Sequence, residues 1–227
     1  MSASLLCRVG SSAVLLPLTV FAIYEGNMLF KIFVALAFGI AVKEWVRMAR
    51  QSNKMLRDIF VGLVYLFIGF FSFILLRTEF EAGLFYTLIL LFGVWASDSA
   101  AYFAGKNFGG PKLMPKISPN KTWAGLIGGT LGSAFTVLAL NYLLPKYGGF
   151  IGMDVKPFVS LPVAFCVGVL VTVFGQIGDL VMSAYKRKVN VKDTGTLIPG
   201  HGGLLDRIDS LLLVTPIFLL LILEVVK

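Results

Sequence analysis

Seven apolar segments, joined by short stretches that hold most of the charge, constrain this chain more than any other feature. They cover residues 9–24, 28–42, 59–76, 82–104, 123–144, 158–181 and 204–226. Apolar side chains make up 57% of the chain and charged ones 14%, and a helix needs about 20 apolar residues to cross a bilayer. No polar stretch is long enough for a separate soluble domain. The sequence therefore predicts one integral membrane domain, residues 1–227, folded as an all-α transmembrane helix bundle of about seven spans.

The first two apolar segments are short for full spans. We interpret residues 9–24 and 28–42 as a tilted hairpin, with the Lys31 ammonium reaching the membrane interface. Arg8 before an apolar run resembles the start of a signal peptide, but no cleavage site of the small-x-small type follows it. We therefore expect a retained helix. Omitting both segments would leave the sidedness of every later loop unchanged.

The basic residues are distributed unevenly between alternating loops. One side of the predicted bundle receives 15 of the 20 lysines and arginines, and the net charge is +8. Because cytoplasmic loops are enriched in Lys and Arg, the bias predicts that the N-terminus and the motif-bearing loops are cytoplasmic. The chain has no soluble basic module with interleaved aromatic residues, so we expect no nucleic-acid partner.

Polar residues at helical spacing mark the end of the sixth apolar segment. Gln176, Asp179, Ser183 and Lys186 fall on one face of a helix. A carboxylate in an apolar helix is costly without a partner, so Asp179 is a candidate functional residue. The alternative is that Asp179 and Lys186 pair with each other and only cap the helix end.

A glycine-rich turn with a second group of charges follows this helix. It reads Gly200, His201, Gly202, Gly203, Leu204, Leu205, Asp206, Arg207, Ile208 and Asp209. Glycines allow the backbone to approach a phosphate and its N–H groups to bind an anion. Asp206 and Asp209 share a face at the N-terminus of a predicted helix. A favourable interaction with the helix dipole would account for one acid at this position, but less well for two. Hard oxygen donors without a histidine cluster favour Mg²⁺ over zinc, and His201 is equally well explained as a hydrogen-bonding loop residue.

Two further regions carry charged residues: the fourth apolar segment, with Asp98, and the basic stretch 43–58. Asp98 lies in the predicted cytoplasmic half of the fourth segment among small residues, which allow close helix packing. It is a candidate site residue, or a hydrogen-bond partner for a neighbouring helix. The stretch 43–58, with Trp45 among its cations, is interpreted as a surface anchor.

The loop 109–123 adds a group of lysines. Lys112, Lys116 and Lys121 form a cationic rim suited to nucleotide or lipid phosphates, or simply to anionic headgroups. Pro119 and the polar residues after it predict the start of a helix.

Together these segments resemble the CDP-diacylglycerol synthases, also called phosphatidate cytidylyltransferases. One block of the resemblance comprises Asp98, Ser118, Pro119, Lys121, Thr122, Trp123 and Gly125. The other comprises Gly178, Asp179, Ser183, Lys186, Arg187, Lys192, Asp193, His201, Gly202, Gly203, Asp206, Arg207 and Asp209. The resemblance as a whole covers about residues 95–210. This stretch would be the catalytic region, between N-terminal helices (1–94) and a last helix (211–227).

The resemblance implies that CTP and phosphatidate give CDP-diacylglycerol and pyrophosphate in phospholipid biosynthesis. It implies catalytic roles for Asp179, Ser183, Lys186 and Asp206. Substrate binding would fall to Lys121, Arg187, Lys192, His201, Gly202, Gly203 and Arg207. Mg²⁺, with a second metal ion as an option, would be held by Asp179, Asp206, Asp209 and Asp98.

The same resemblance sets expectations for partners and location. CTP, phosphatidate and membrane lipids are the expected partners, and a homodimer is the expected assembly. We expect a multi-pass protein of a bacterial inner membrane, with the active site and the N-terminus in the cytoplasm.

The alternatives use related chemistry or similar helices. A CDP-alcohol phosphotransferase would need an Asp-Gly-x-x-Ala-Arg segment, and a polyprenyl-phosphate sugar transferase would need aspartate-rich patterns; the sequence has neither. An ion-coupled transporter would place acids midway along helices and show repeat symmetry. A scaffold that keeps the motif without the activity is a further alternative. We favour the cytidylyltransferase, with a metal-dependent membrane phosphotransferase of another lipid pathway or a transporter as the alternative.

Overall fold

Apolar helices joined by short connections make up most of the structure. A computed structural model describes residues 13, 16–197 and 202–225. A shorter apolar helix, α1 (Leu16–Glu25), precedes the long ones. These are α2 (Asn27–Ala49), α3 (Met55–Thr78), α4 (Gly83–Phe108), α5 (Trp123–Tyr147), α6 (Leu161–Lys188) and α7 (Leu205–Val225).

The protein is an integral membrane protein. In the described part of the chain, five helices are long and apolar enough to cross a membrane: α3, α4, α5 with the turn after it (Trp123–Phe150), α6 and α7. The helix α2 has comparable length but carries Lys31, Lys43, Glu44 and Arg47. The last five predicted segments are thus confirmed as long apolar helices, whereas seven remains a prediction for the number of spans.

The helix α1 ends beside the end of α3. The Arg77 guanidinium donates to the backbone carbonyl of Ile23 over 2.7 Å, which satisfies an acceptor at the C-terminus of α1. Thr19 lines a cavity of about 130 Å³ together with Phe33 and Val34 of α2. The helix α2 extends to Ala49, beyond the predicted end at residue 42, and most of residues 9–15 lie outside the described residues. The tilted hairpin therefore stays a prediction.

A small β-hairpin interrupts the all-α pattern between α4 and α5. Strand β1 (Lys112–Met114) pairs antiparallel with strand β2 (Ser118–Thr122), in a region that the sequence had indicated only as a loop before a helix. The predicted helix start is confirmed at Thr122, whose hydroxyl accepts the Gly125 N–H over 3.0 Å and caps α5.

Small residues allow α4 and α5 to pack closely, as the sequence predicted. A Cβ added at Gly129 would lie 2.9 Å from the Ser97 carbonyl oxygen, so only glycine fits there without a shift. Because Asp98 follows Ser97 directly, this contact fixes the helix that carries Asp98 against α5.

The two ends of the bundle differ in chemistry. We call the end that holds the α2–α3, α4–α5 and α6–α7 connections the site end. At the opposite end, the buried Asn141 side chain donates to the Val159 carbonyl (2.9 Å) and accepts the Phe158 N–H (3.1 Å), which fixes the connection between α5 and α6.

Candidate active site

Three ion pairs link the connections at the site end. Lys188 at the end of α6 contacts Asp58 at the start of α3, with 2.6 Å between Nζ and Oδ2. Lys121 of the hairpin lies 2.6 Å from Asp179 of α6. Lys186 lies 2.8 Å from Asp206 at the start of α7. The charged segments of the sequence therefore converge in space, although 130 residues separate Asp58 from Lys188.

Asp179 lies at the centre of this group. Its Oδ2 forms the ion pair with Lys121, and its Oδ1 accepts a hydrogen bond of 3.1 Å from the Ser183 hydroxyl. The side chains of Asp179 and Lys121 are 27% and 18% exposed, so both are shielded yet open to a ligand. The alternative in which Asp179 pairs with Lys186 is wrong, because Lys186 pairs with Asp206 instead.

A cavity of about 430 Å³ opens beside Asp179. The residues around it come from α4, the hairpin, α5 and α6: Asp98, Ala101, Tyr102, Gly105, Lys106, Leu113, Asn120, Lys121, Thr122, Gly125, Leu126, Gln176 and Asp179. This volume is within the usual range for ligand pockets, about 300–1,000 Å³. Gln176 and Asp179 of the predicted polar stripe both face the cavity, and Lys121 and Lys106 supply positive charge.

Three carboxylates from different helices act on one another here. Asp98 of α4 and Asp209 of α7 both interact electrostatically with Asp179 of α6, and with each other. Lys121 and Lys186 offset part of the repulsion. Hard oxygen donors that repel one another suit a divalent cation such as Mg²⁺. Among the described residues, no three potential ligand side chains lie close enough together to hold a metal ion. The Asp179 carboxylate is paired with the Lys121 ammonium instead.

Asp206 anchors the loop between α6 and α7. Its Oδ1 accepts from Lys186, and its Oδ2 accepts the N–H groups of Thr194 (2.8 Å) and Gly203 (3.0 Å). The Thr194 hydroxyl also lies 3.0 Å from Oδ2. The carboxylate is 7% exposed and its lysine partner 12%. These contacts give Asp206 a clear part in loop structure, while its role as a metal ligand stays a prediction.

Trp45 does not belong to a surface anchor, so that part of the interpretation of 43–58 was wrong, whereas the basic residues of the stretch are exposed as expected. Glu44 and Trp45 are each 6% exposed and belong to α2. The Glu44 carboxylate accepts the N–H groups of Leu204 and Leu205 at the start of α7. Sequence reasoning missed Glu44, because it lies among the basic residues that follow the second apolar segment and so lacks the signal of a lone acid in an apolar run.

Asp58 is a second acid that the sequence did not single out. Its buried carboxylate accepts hydrogen bonds from Ser52 (2.6 Å), Arg57 (2.7 and 3.0 Å) and Lys188 (2.6 Å). The Trp45 indole donates to the Asp58 carbonyl over 2.8 Å. Asp58 therefore ties the connection between α2 and α3 to the end of α6.

Replacing Asp58 by Asn is expected to lower the free energy of unfolding by about 2 kcal/mol, because the charged acceptor of several hydrogen bonds is lost. For a chain of this size that corresponds to a fall of about 4–8 °C in the melting temperature, measurable by thermal unfolding in detergent. Asp154→Asn is the control, since Asp154 is exposed at the opposite end and its loss should cost less than about 0.5 kcal/mol. Equal shifts in the two variants would contradict this role for Asp58.

The remaining predicted binding residues are less closely engaged. Arg187 is exposed and donates to the Ile117 carbonyl over 3.4 Å, and Lys192 is exposed. The exposed Arg207 interacts electrostatically with Asp98. Gly202 has a φ of +85°, a conformation that favours glycine. His201 lies outside the described residues.

The membrane helices enclose a ligand-sized cavity at one end, with acids and lysines around it. These features are typical of integral membrane proteins whose site binds phosphate groups. A sequence profile of the "Cytidylyltransferase family" matches residues 52–225. The chain belongs to that family.

Curated relatives cover most of the chain. "Phosphatidate cytidylyltransferase" of Rickettsia conorii is 34% identical over 214 residues, which is 94% of this chain and 89% of the relative. The protein of the same name from Rickettsia typhi is 37% identical over 211 residues, 93% of this chain and 89% of the relative. The one from Staphylococcus aureus strain COL is 40% identical over 164 residues, 72% of this chain and 58% of the relative.

Proposed function

We propose that this protein transfers a cytidylyl group from CTP to phosphatidate and so makes CDP-diacylglycerol for phospholipid synthesis. The observation that carries the proposal is the Asp179–Lys121 pair, which faces a cavity of about 430 Å³ at one end of a bundle of membrane helices. Membership of the cytidylyltransferase family and the names of the relatives support it.

The chemistry joins two polyanions. A phosphate oxygen of phosphatidate attacks the α-phosphorus of CTP, the bond from that phosphorus to the bridging oxygen of the β-phosphate breaks, and pyrophosphate leaves with the bonding electrons. A phosphomonoester is already an anionic nucleophile, so the site must mainly offset repulsion and orient the reacting groups. Lys121 and Lys106 line the cavity and Lys186 lies near Asp209, so these cations are suited to hold phosphates.

The carboxylates suit a magnesium ion. Asp179, Asp98 and Asp209 would hold Mg²⁺. Asp206 could contribute its Oδ1, whose one described partner is Lys186. When bound, the metal would supply positive charge to the triphosphate and the leaving group. Lys121, released from Asp179, would then be available to bind substrate phosphate. A second metal ion is an option that this number of acids allows.

We propose further that the site end faces the cytoplasm of a bacterial cell, in the inner membrane. The supporting observation is the charge bias, which assigns 15 of the 20 basic residues to that side. CTP would then enter from water and phosphatidate from the adjacent leaflet. We also propose that the chain crosses the membrane seven times and that two copies of it form a homodimer.

The experiment is a pyrophosphate-release assay on detergent-purified protein. Release is expected only when CTP, phosphatidate and Mg²⁺ are all present, and EDTA should abolish it. Diacylglycerol, which lacks the attacking phosphate, is the matched control lipid and should give no release. Release that is equal with diacylglycerol, or formation of inorganic phosphate in place of pyrophosphate, would contradict cytidylyl transfer.

A further inference from the structure

The carboxylate of Glu44 binds a loop that lies far from it in the sequence. Its Oε1 accepts the Leu204 N–H and its Oε2 accepts the Leu205 N–H, each over 2.9 Å. The Thr194 hydroxyl lies 3.0 Å from Oε2. These partners are 150 to 161 residues away along the chain. Glu44 is only 6% exposed, so its carboxylate faces protein donors rather than solvent.

Two glycines make room for this carboxylate. A Cβ added at Gly203 would meet Oε2 of Glu44 and the Thr194 hydroxyl. A Cβ added at Gly195 would lie 2.8 Å from Oε1. The loop backbone is thus shaped around the Glu44 side chain. Gly203, a glycine of the sequence motif, is needed at this position because a Cβ would collide with Glu44 and Thr194.

Glu44 and Asp206 hold the loop from two sides. The Thr194 hydroxyl lies 3.0 Å from an oxygen of each, so its single proton serves one carboxylate at a time. Asp206 in turn holds Lys186, and Asp209 follows one turn later on α7 beside Asp179. A displacement of the start of α7 would therefore move several charged groups of the site together.

We propose that Glu44 is a positioning residue for cytidylyl transfer. It fixes the start of α7 and the loop before it to α2, so that Lys186, Asp206 and Asp209 keep their places. An N-terminal cap normally comes from the residue just before a helix, whereas this acceptor comes from another helix and fixes where α7 begins relative to α2. Glu44 also lies outside residues 52–225, which match the family profile. The kinetic part of the inference rests on the proposed function.

The test compares Glu44→Gln with Asn141→Ala. In the Gln variant, whichever way the amide turns, its NH₂ group faces a backbone N–H in place of an acceptor. We expect kcat/KM for CTP to fall about 10- to 100-fold, mainly through kcat. Asn141 fixes a connection at the opposite end through two backbone hydrogen bonds. Its variant should lose comparable thermal stability yet keep kcat/KM within about twofold.

Amide hydrogen exchange provides a readout that needs no activity. The N–H groups of Leu204, Leu205 and Thr194 should exchange at least about tenfold faster in Glu44→Gln than in the wild type, and no faster in Asn141→Ala. Gly203→Ala should reproduce both effects, and the double variant with Glu44→Gln should be little worse than either single one.

The outcomes separate this inference from the proposed function. Unchanged exchange at Leu204 and Leu205 in Glu44→Gln would overturn the clamp, whatever reaction the protein catalyses. Faster exchange with kcat/KM unchanged, or an equal fall in Asn141→Ala, would overturn the positioning role. A wild type without cytidylyl transfer would refute the proposed function, while the exchange arm would still decide whether Glu44 holds the loop.

Discussion

Replacing Asp179 by Asn is expected to lower kcat/KM for CTP about 1,000-fold while the protein stays folded. Asp179 faces the cavity, pairs with Lys121 and interacts with both Asp98 and Asp209. The amide keeps the shape of the side chain but removes the charge that Lys121 and a bound Mg²⁺ would meet. Steady-state kinetics with CTP and phosphatidate, at several Mg²⁺ concentrations, measure the effect.

Two matched variants show whether the loss is specific to Asp179. Ser183→Ala removes only the 3.1 Å hydrogen bond to Asp179, so we expect a fall of no more than about tenfold. Asp154→Asn changes an exposed acid at the opposite end and should leave the kinetics unchanged. An Asp179→Asn protein with more than about a tenth of the wild-type kcat/KM would remove Asp179 from the chemistry.

Replacing Asp206 by Asn is expected to lower both stability and activity. Lys186, which is 12% exposed, would lose its buried partner, and the N–H groups of Thr194 and Gly203 would face an amide in one of its orientations. Breaking a buried ion pair by removing one partner costs about 3–5 kcal/mol. Thermal unfolding in detergent should therefore show a large fall, and kcat/KM should fall at least about 100-fold.

A double variant separates structure from chemistry at this pair. Lys186→Met combined with Asp206→Asn removes the uncompensated buried charge, so it should recover a large part of the stability that Asp206→Asn loses. If Lys186 and Asp206 also serve the reaction, activity should stay at least about 100-fold low. Recovery of activity along with stability would show that Asp206 acts only as an anchor of the loop.

The sequence predicted the architecture well because its main signal is local. Runs of apolar residues at 59–76 and 158–181 correspond to α3 and α6 (Met55–Thr78 and Leu161–Lys188). Spacing along α6 likewise indicated that Gln176 and Asp179 share a face, and both line the cavity. Helical periodicity and span length depend on neighbouring residues only, so one sequence suffices for both.

The partners of the charged groups could not be predicted in the same way. The spacing of Asp179 and Lys186 is compatible with a pair on one helix, but Asp179 meets Lys121 and Lys186 meets Asp206. Glu44 was missed because its donors lie at the far end of the chain. Which distant segments meet is decided by the packing of whole helices, and no local pattern records it.

The most direct test of cytidylyl transfer follows phosphorus from CTP. Purified protein would be given phosphatidate, Mg²⁺ and CTP labelled at either the α- or the γ-phosphorus. We predict that the α label enters the lipid fraction as CDP-diacylglycerol and that the γ label leaves as pyrophosphate. Label from the γ position in the lipid would show transfer of a terminal phosphate and contradict the proposed function, as would the absence of lipid labelling by a folded wild-type preparation.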